Sequence, residues 1–182
     1  MEDYRLQWAD KITLERIGLM HPLLRDELLE EYLVINTALA KGIRLRFAQT
    51  LRTKEEQDEL YAQGRTKPGK IVTNAPSLSS WHNYGLAFDI VILYDLDGNG
   101  SMETASWDEK KDYDKNGIAE YKQVTDFFKS KGWFWGGDFK SIVDTPHFEK
   151  TFGLSIGQAR GKYNSGDTFI DTSNGKKYIN IK

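Results

Sequence analysis

The order of apolar and polar positions divides the chain into a few elements. Leu24, Leu28, Ile35 and Leu39 recur on one helical face after His21-Pro22, which predicts a helix with proline in its first turn, stopped by Gly42. Ile43, Leu45 and Phe47 alternate with Arg44 and Arg46, the pattern of a strand with one wet face. Thr53 and Glu56 stand at capping-box spacing and open a second helix, which Gly64 closes. Residues 65–80 are rich in turn formers and read as a loop. Leu86 to Tyr94 is apolar on both faces except at Asp89, so it belongs at the centre of a sheet.

Asp95 to Glu120 is polar and rich in Asp, Asn and Gly, an insertion between core elements. A helix follows from about Tyr121 to Lys131 with Val124, Phe127 and Phe128 inward. GWFWGGDF predicts a short aromatic strand and a tight turn, and PHFEK another strand. The tail carries a short helix near Ser155 to Tyr163 and a strand at Tyr178 to Ile181, expected to finish the sheet. The fold class this implies is α+β: a small, largely antiparallel sheet with helices packed on it. At 182 residues the chain reads as one domain, 1–182, with no linker.

Composition narrows the chemistry. The formal charge of −2 lacks the basic footprint of a nucleic-acid binder. No apolar run is long enough to span a bilayer. The start, MEDYRLQWADK, has no apolar core of a signal peptide. The expectation is a monomer, held in the cytoplasm until it is released to its site of action or exported by another route. Cysteine is absent, which excludes disulfides, thiol catalysis and thiolate metal sites. Any metal must use His, Asp or Glu, and the only histidines are His21, His82 and His147.

A carboxylate inside LAFDIVILY is costly unless something pairs with it. Asp89 shares a strand face with Ala87 and Val91, and Gly85 supplies a turn that folds His82 back over the strand start. A catalytic zinc takes three protein ligands and keeps one position open. His147, in DTPHFE, is the best third ligand. Asp144 stands three residues before it, a second carboxylate suited to moving a proton. Taken singly, each residue has a plainer reading: an aromatic-loop histidine is usually structural, and a strand aspartate pairs with arginine or a backbone N–H. Two of the three histidines each near a well-placed carboxylate tip the reading toward a metal.

Ser80, His82, Gly85, Ala87 and Asp89 in SWHNYGLAFD resemble the signature of the zinc D-Ala-D-Ala carboxypeptidase and dipeptidase group. DTPHFE is similar to that group's second motif, an acidic residue three before the last zinc ligand. LRTKEEQDELYAQGRTKPGKIVTNA resembles the L-alanyl-D-glutamate endopeptidase branch, found in phage endolysins and some bacterial cell-wall enzymes. The similarity runs from about Leu19 to Phe152. It implies zinc held at the sheet by His82, Asp89 and His147, Asp144 as catalytic base, and hydrolysis of the L-Ala–D-Glu bond of peptidoglycan stem peptides.

The resemblance also implies that Arg52 binds substrate or steadies the oxyanion, a task that suits a permanently charged planar fork. Pairing with Glu55 or Glu56 is the plainer alternative. Ser80 either hydrogen-bonds substrate or orients His82, and Trp81 is either a cleft wall or core. Two other functions remain open: a carboxypeptidase or dipeptidase acting on D-Ala-D-Ala, and a non-catalytic wall-binding domain that keeps the zinc cage. Asp144 argues against the second, because a structural zinc needs no adjacent base.

The insertion repeats D-x-D-x-N-G-x-x-E with a period of 17: Asp95, Asp97, Asn99, Gly100, Glu103, then Asp112, Asp114, Asn116, Gly117, Glu120. The first part resembles an EF-hand calcium loop. Ser106 and Gln123 stand where its bidentate glutamate belongs. Solvated Asx turns are the alternative to structural calcium.

Overall fold

The computed structural model describes residues 3–140 and 142–181. Helix α1 (Lys11–Ile17) follows a short 3-10 turn and is an element the apolar pattern does not announce. Seven residues are too few for a periodic signal; a cap defines the helix instead. Asp10 accepts the Thr13 amide and hydroxyl at 2.9 Å each and pairs with Arg46 at 2.7 Å. Helix α2 (Pro22–Ala38) has its proline at the first turn, as expected. It ends four residues before Gly42. The chain leaves the helix at Leu39, which is buried, and Gly42 (φ +84°) serves the turn into β1 (Ile43–Gln49).

The predicted capping box opens α3 (Lys54–Ala62): Glu56 N–H donates to Thr53 Oγ1 at 3.1 Å, and Thr53 N–H to Glu56 Oε2 at 2.7 Å. A long loop leads to a 3-10 turn (Trp81–Tyr84) and then β2 (Ala87–Tyr94). The insertion holds a strand the polar pattern hides, β3 (Thr104–Ser106). Then come α4 (Glu120–Ser130), β4 (Phe134–Trp135), β5 (His147–Glu149) and α5 (Ile156–Ser165). A hairpin, β6 (Thr168–Ile170) and β7 (Lys177–Ile179), ends the chain.

The main sheet runs β1-β2-β5-β4, with β3 also on β2, and every pairing is antiparallel. This is the expected α+β arrangement, and β2 is its centre. Phe88, Ile90, Ile92 and Tyr94 share one core with Leu24, Leu28, Tyr32, Val124 and Phe128. Phe88 stacks on Phe47 (4.3 Å) and Phe148 (5.3 Å), with Phe128 edge-on at 5.0 Å. That aromatic layer fixes β1, β2 and β5 in register. Asp89 lies on the opposite face of β2, which is how one carboxylate sits in an apolar strand without entering the core.

The tail does not finish the main sheet, contrary to the sequence expectation. β6 and β7 form a separate two-stranded sheet. Its partners lie around the start of α2: Tyr178 donates to Leu19 O at 2.9 Å, His21 Nε2 lies 3.0 Å from Ile179 O, and Arg25 pairs with Asp171. Period-2 patterning marks a strand and leaves its partner unspecified. These long-range contacts choose it.

Candidate active site

Two elements carry the site into place. Ser80 caps the 3-10 turn that bears His82, its hydroxyl accepting the His82 N–H at 3.4 Å. Gly85 closes that turn with φ +67°. A Cβ there would lie 2.8 Å from His21 N, so only glycine lets the turn rest against the start of α2. The chain then enters β2, and Asp89 pairs across the ladder with His147 on β5. Between Asp144 and His147 a tight turn through Pro146 is closed by His147 N–H to Asp144 O at 3.1 Å. Gly136 lies against this turn; a Cβ on it would overlap the Asp144 carbonyl oxygen.

His82 Nε2, Asp89 Oδ1 and His147 Nδ1 form a triangle with edges of 3.1, 3.1 and 3.2 Å. The outer nitrogens decide what faces inward. His82 Nδ1 lies 2.7 Å from Thr50 O, a carbonyl, so this nitrogen carries the proton. His147 Nε2 lies 2.9 Å from Glu149 Oε2, and it too is the donor. When both rings are neutral, as metal ligands must be, each turns a lone pair toward the Asp89 oxygen. Three acceptors then meet, an arrangement that calls for a cation: a metal ion, or a proton in its place. Tetrahedral bonds of about 2.0–2.1 Å to zinc place ligand atoms about 3.3 Å apart, close to these edges.

The electrostatics agree. Burial would raise the Asp89 pKa, yet the charges and hydrogen bonds of His82 and His147 hold it far below the usual carboxylate range. Burial works to lower His147, but its hydrogen bonds to Asp89 and Glu149 push its pKa up to about 9. A site this hungry for positive charge takes up a proton when it lacks a metal.

These atoms lie at the floor of a cleft of about 560 Å³. Asp144 stands on its wall, exposed overall; the cleft partly desolvates its carboxyl and, with the nearby Asp89 charge, raises its pKa. Arg52 also faces the cleft. Its Nη2 is 3.8 Å from Asp89 Oδ2 and its Nη1 donates to Gln57 Oε1 at 3.0 Å. Among the described residues no ion pair joins it to Glu55 or Glu56. Burial lowers its pKa, opposed by Asp89, Glu56 and Asp144. Ser80 and Trp81 line the same cleft; Ser80 also holds the His82 backbone, and Trp81 also packs on the core.

Two partners of the site escape sequence reasoning. Thr50 O acts through its backbone, which no residue identity reveals. Glu149 is legible afterwards: residues 147 and 149 of one strand share a face.

The acidic repeat folds into two loops. Asp95, Asp97 and Glu103 bring carboxylate oxygens within 4.8 Å of one another, and so do Asp112, Asp114 and Glu120. Asn99 and Asn116 are held inside these loops by Asp97 and Asp114 (2.9 Å each). The leading carboxylates already accept the loops' own amides: Asp95 those of Gly98 and Gly100, Asp112 that of Gly117. Buried Glu120 accepts Tyr94 OH and Tyr113 N–H.

A mixed sheet-and-helix fold carrying two histidines and an aspartate over a cleft with a free acid is the plan of a metal-dependent peptidase. The chain belongs to the family of D-alanyl-D-alanine carboxypeptidase-type peptidases, whose model matches residues 73–150. It is 37% identical over 148 residues to the peptidoglycan L-alanyl-D-glutamate endopeptidase CwlK of Bacillus subtilis (strain 168), covering 80% of this chain and 83% of that protein. It is 26% identical over 151 residues to the L-alanyl-D-glutamate peptidase of Listeria phage A118, covering 78% of this chain but 46% of that longer protein. The crystal structure of the Serratia marcescens L-Ala D-Glu endopeptidase ChiX aligns with 78% of this chain and 88% of its own, with a TM-score of 0.49 and 22% identity. Among the described residues, no helix is long and apolar enough to cross a membrane.

Proposed function

We propose that the protein is a zinc peptidase that hydrolyses the L-Ala–D-Glu bond of peptidoglycan stem peptides. The observation that carries this reading is the triangle of His82, Asp89 and His147, whose three acceptor atoms converge beside Asp144 in an open cleft. The likeness to CwlK over most of both chains supports the choice of bond.

His82 Nε2, Asp89 Oδ1 and His147 Nδ1 would hold the ion, and no thiolate competes. Zinc bound there supplies Lewis acidity toward the scissile carbonyl and makes a water acidic enough to react near neutral pH. The chain's own residues do the rest. Asp144 takes the proton from the attacking water, whose oxygen forms the new C–O bond. The C–N bond then breaks, and Asp144 hands that proton to the departing D-Glu amine. The raised pKa of Asp144 suits an acid that must both accept and release a proton. Arg52, fixed by Gln57 and by its position beside Asp89, offers its remaining N–H groups to the developing oxyanion. Thr50 O and Glu149 hold the two imidazoles in the tautomers that face the ion.

The test is digestion of purified peptidoglycan with and without a chelator, followed by identification of new amino termini. New D-glutamate amino termini that vanish on chelation and return with zinc support the reading. Release of D-alanine instead assigns the carboxypeptidase reaction, and no cleavage at all leaves a wall-binding domain. Structural calcium in the acidic loops rests on the repeated pattern alone. A melting temperature that rises when calcium is added to chelated protein supports it; an unchanged one removes it.

A further inference from the structure

The cleft over the metal site does not end there. At one end it opens into a trough of about 450 Å³ over α3, lined by Gln49, Glu56, Glu59, Gln63 and Lys67 and joined to the central cleft at Arg52 and Leu60. At the other end it opens into one of about 640 Å³ walled by Ile71, Val72, Phe139, Ile142 and Val143, joined at Asp144, Thr73 and Ser79. The two ends differ in chemistry. The first presents amides, carboxylates and an ammonium group. The second gathers exposed Ile71, Val72, Ile142 and Val143, the last 64% exposed, beside Thr73, Asn74 and Ser79.

From this asymmetry we infer that substrate lies in one direction, with the muramyl sugar of the glycan seated in the polar trough over α3. The inference deepens the L-Ala–D-Glu reading and rests on it. In that substrate the acyl side of the scissile bond carries L-alanine and then the lactyl-linked N-acetylmuramyl sugar. The amine side carries D-glutamate and then a diamino acid and D-alanine. Two independent arguments give the same direction.

The first is proton geometry. Asp144 must reach the departing nitrogen, and it lines the central cleft and the apolar trough but not the polar one. Arg52, on the oxyanion side, lines the central cleft and the polar trough but not the apolar one. The amine half of the substrate therefore runs toward Val143 and the acyl half toward α3. The second is polarity. Sugar hydroxyls and an acetamido group need donors and acceptors such as Gln63 and Glu59. The methylene stem of a diamino acid and the methyl of D-alanine cover apolar side chains while charged ends stay wet.

The test compares kcat/KM of the zinc-loaded enzyme on N-acetylmuramyl-L-Ala-D-isoglutamine and on N-acetyl-L-Ala-D-isoglutamine. The wild-type protein should favour the muramyl substrate. The double substitution Glu59→Ala, Gln63→Ala changes an exposed residue of α3, where alanine supports the helix, and the half-buried residue that ends it. It should reduce the muramyl-to-acetyl ratio by about fivefold for each hydrogen bond lost. Val143→Ser should leave that ratio alone and lower kcat/KM for an acetylated tetrapeptide stem relative to the acetylated dipeptide. A ratio unchanged by the α3 substitutions, or lowered by Val143→Ser instead, would overturn the assigned direction. A wild-type protein that cuts neither dipeptide nor whole peptidoglycan at L-Ala–D-Glu overturns the activity reading itself, and the inference with it.

Discussion

Replacing Glu149 separates the metal site from the rest of the chemistry. Its Oε2 is 2.9 Å from His147 Nε2, and its side chain is only 14% exposed, so solvent screens the contact little. The bond joins an anion to a ring N–H, a type worth about 1.5–3 kcal/mol. Loss of such an outer partner weakens metal binding by about 10–100-fold. Glu149→Ala should therefore raise the zinc Kd by that factor, whereas Glu149→Gln, which keeps an acceptor, should recover most of it. The assay is competition with a chelating dye, backed by the visible spectrum of the cobalt-substituted protein, which reports ligand geometry without turnover. The pH dependence has a definite sign. Glu149 also helps push the His147 pKa up to about 9, so below that pH the metal must displace a proton. Removing Glu149 weakens the metal and its competitor together. The apparent loss should be smallest near pH 7 and grow toward pH 9. An alanine variant that binds zinc as tightly as wild type across that range would refute the role given to Glu149. A glutamine variant as weak as alanine would refute the tautomer argument.

Three further outcomes are expected. Asp144→Ala should retain zinc and lose about 10²–10⁴-fold in kcat, read from peptide cleavage and metal content together; near wild-type turnover would show the role misassigned. Gly136→Ala places a methyl group into the Asp144 carbonyl and 3.0 Å from His147 Cβ, so it should lower kcat/KM by about 100-fold and stability by about 1–3 kcal/mol, measured by kinetics and urea melts. Burial raises the Asp10 pKa, but Arg46 and Thr13 outweigh it and the net shift is downward. The folded state then binds fewer protons than the unfolded one, so the contribution of Asp10 is present above the ordinary carboxylate pKa of about 3.9 and is lost as pH falls through the lower folded value. Asp10→Asn should cost about 3 kcal/mol at pH 7 and flatten the acid limb of the stability curve; an unchanged acid limb would assign that limb to other carboxylates.

Much of the fold is legible from local rules. The Thr53 capping box, the proline opening α2 and the apolar run of β2 each depend on neighbours close in the chain, and each appears where its pattern stands. The three convergent side chains were also within reach of sequence. With no cysteine and three histidines the choice of ligands is short, and a lone aspartate in a central strand demands an explanation.

Tertiary structure alone decided the rest. α1 is too short to show a period, and β3 hides in polar sequence because its pairing with β2 supplies what its composition lacks. The tail strands pair with each other rather than with the sheet, since strand patterning specifies a face and leaves the partner open. The same limit applies at the site. Which ring nitrogen points inward depends on Thr50 O and Glu149, one of them a backbone atom 32 residues from His82 in the chain. Residue identity determines which donors are available, and only the packed fold determines which lone pairs meet.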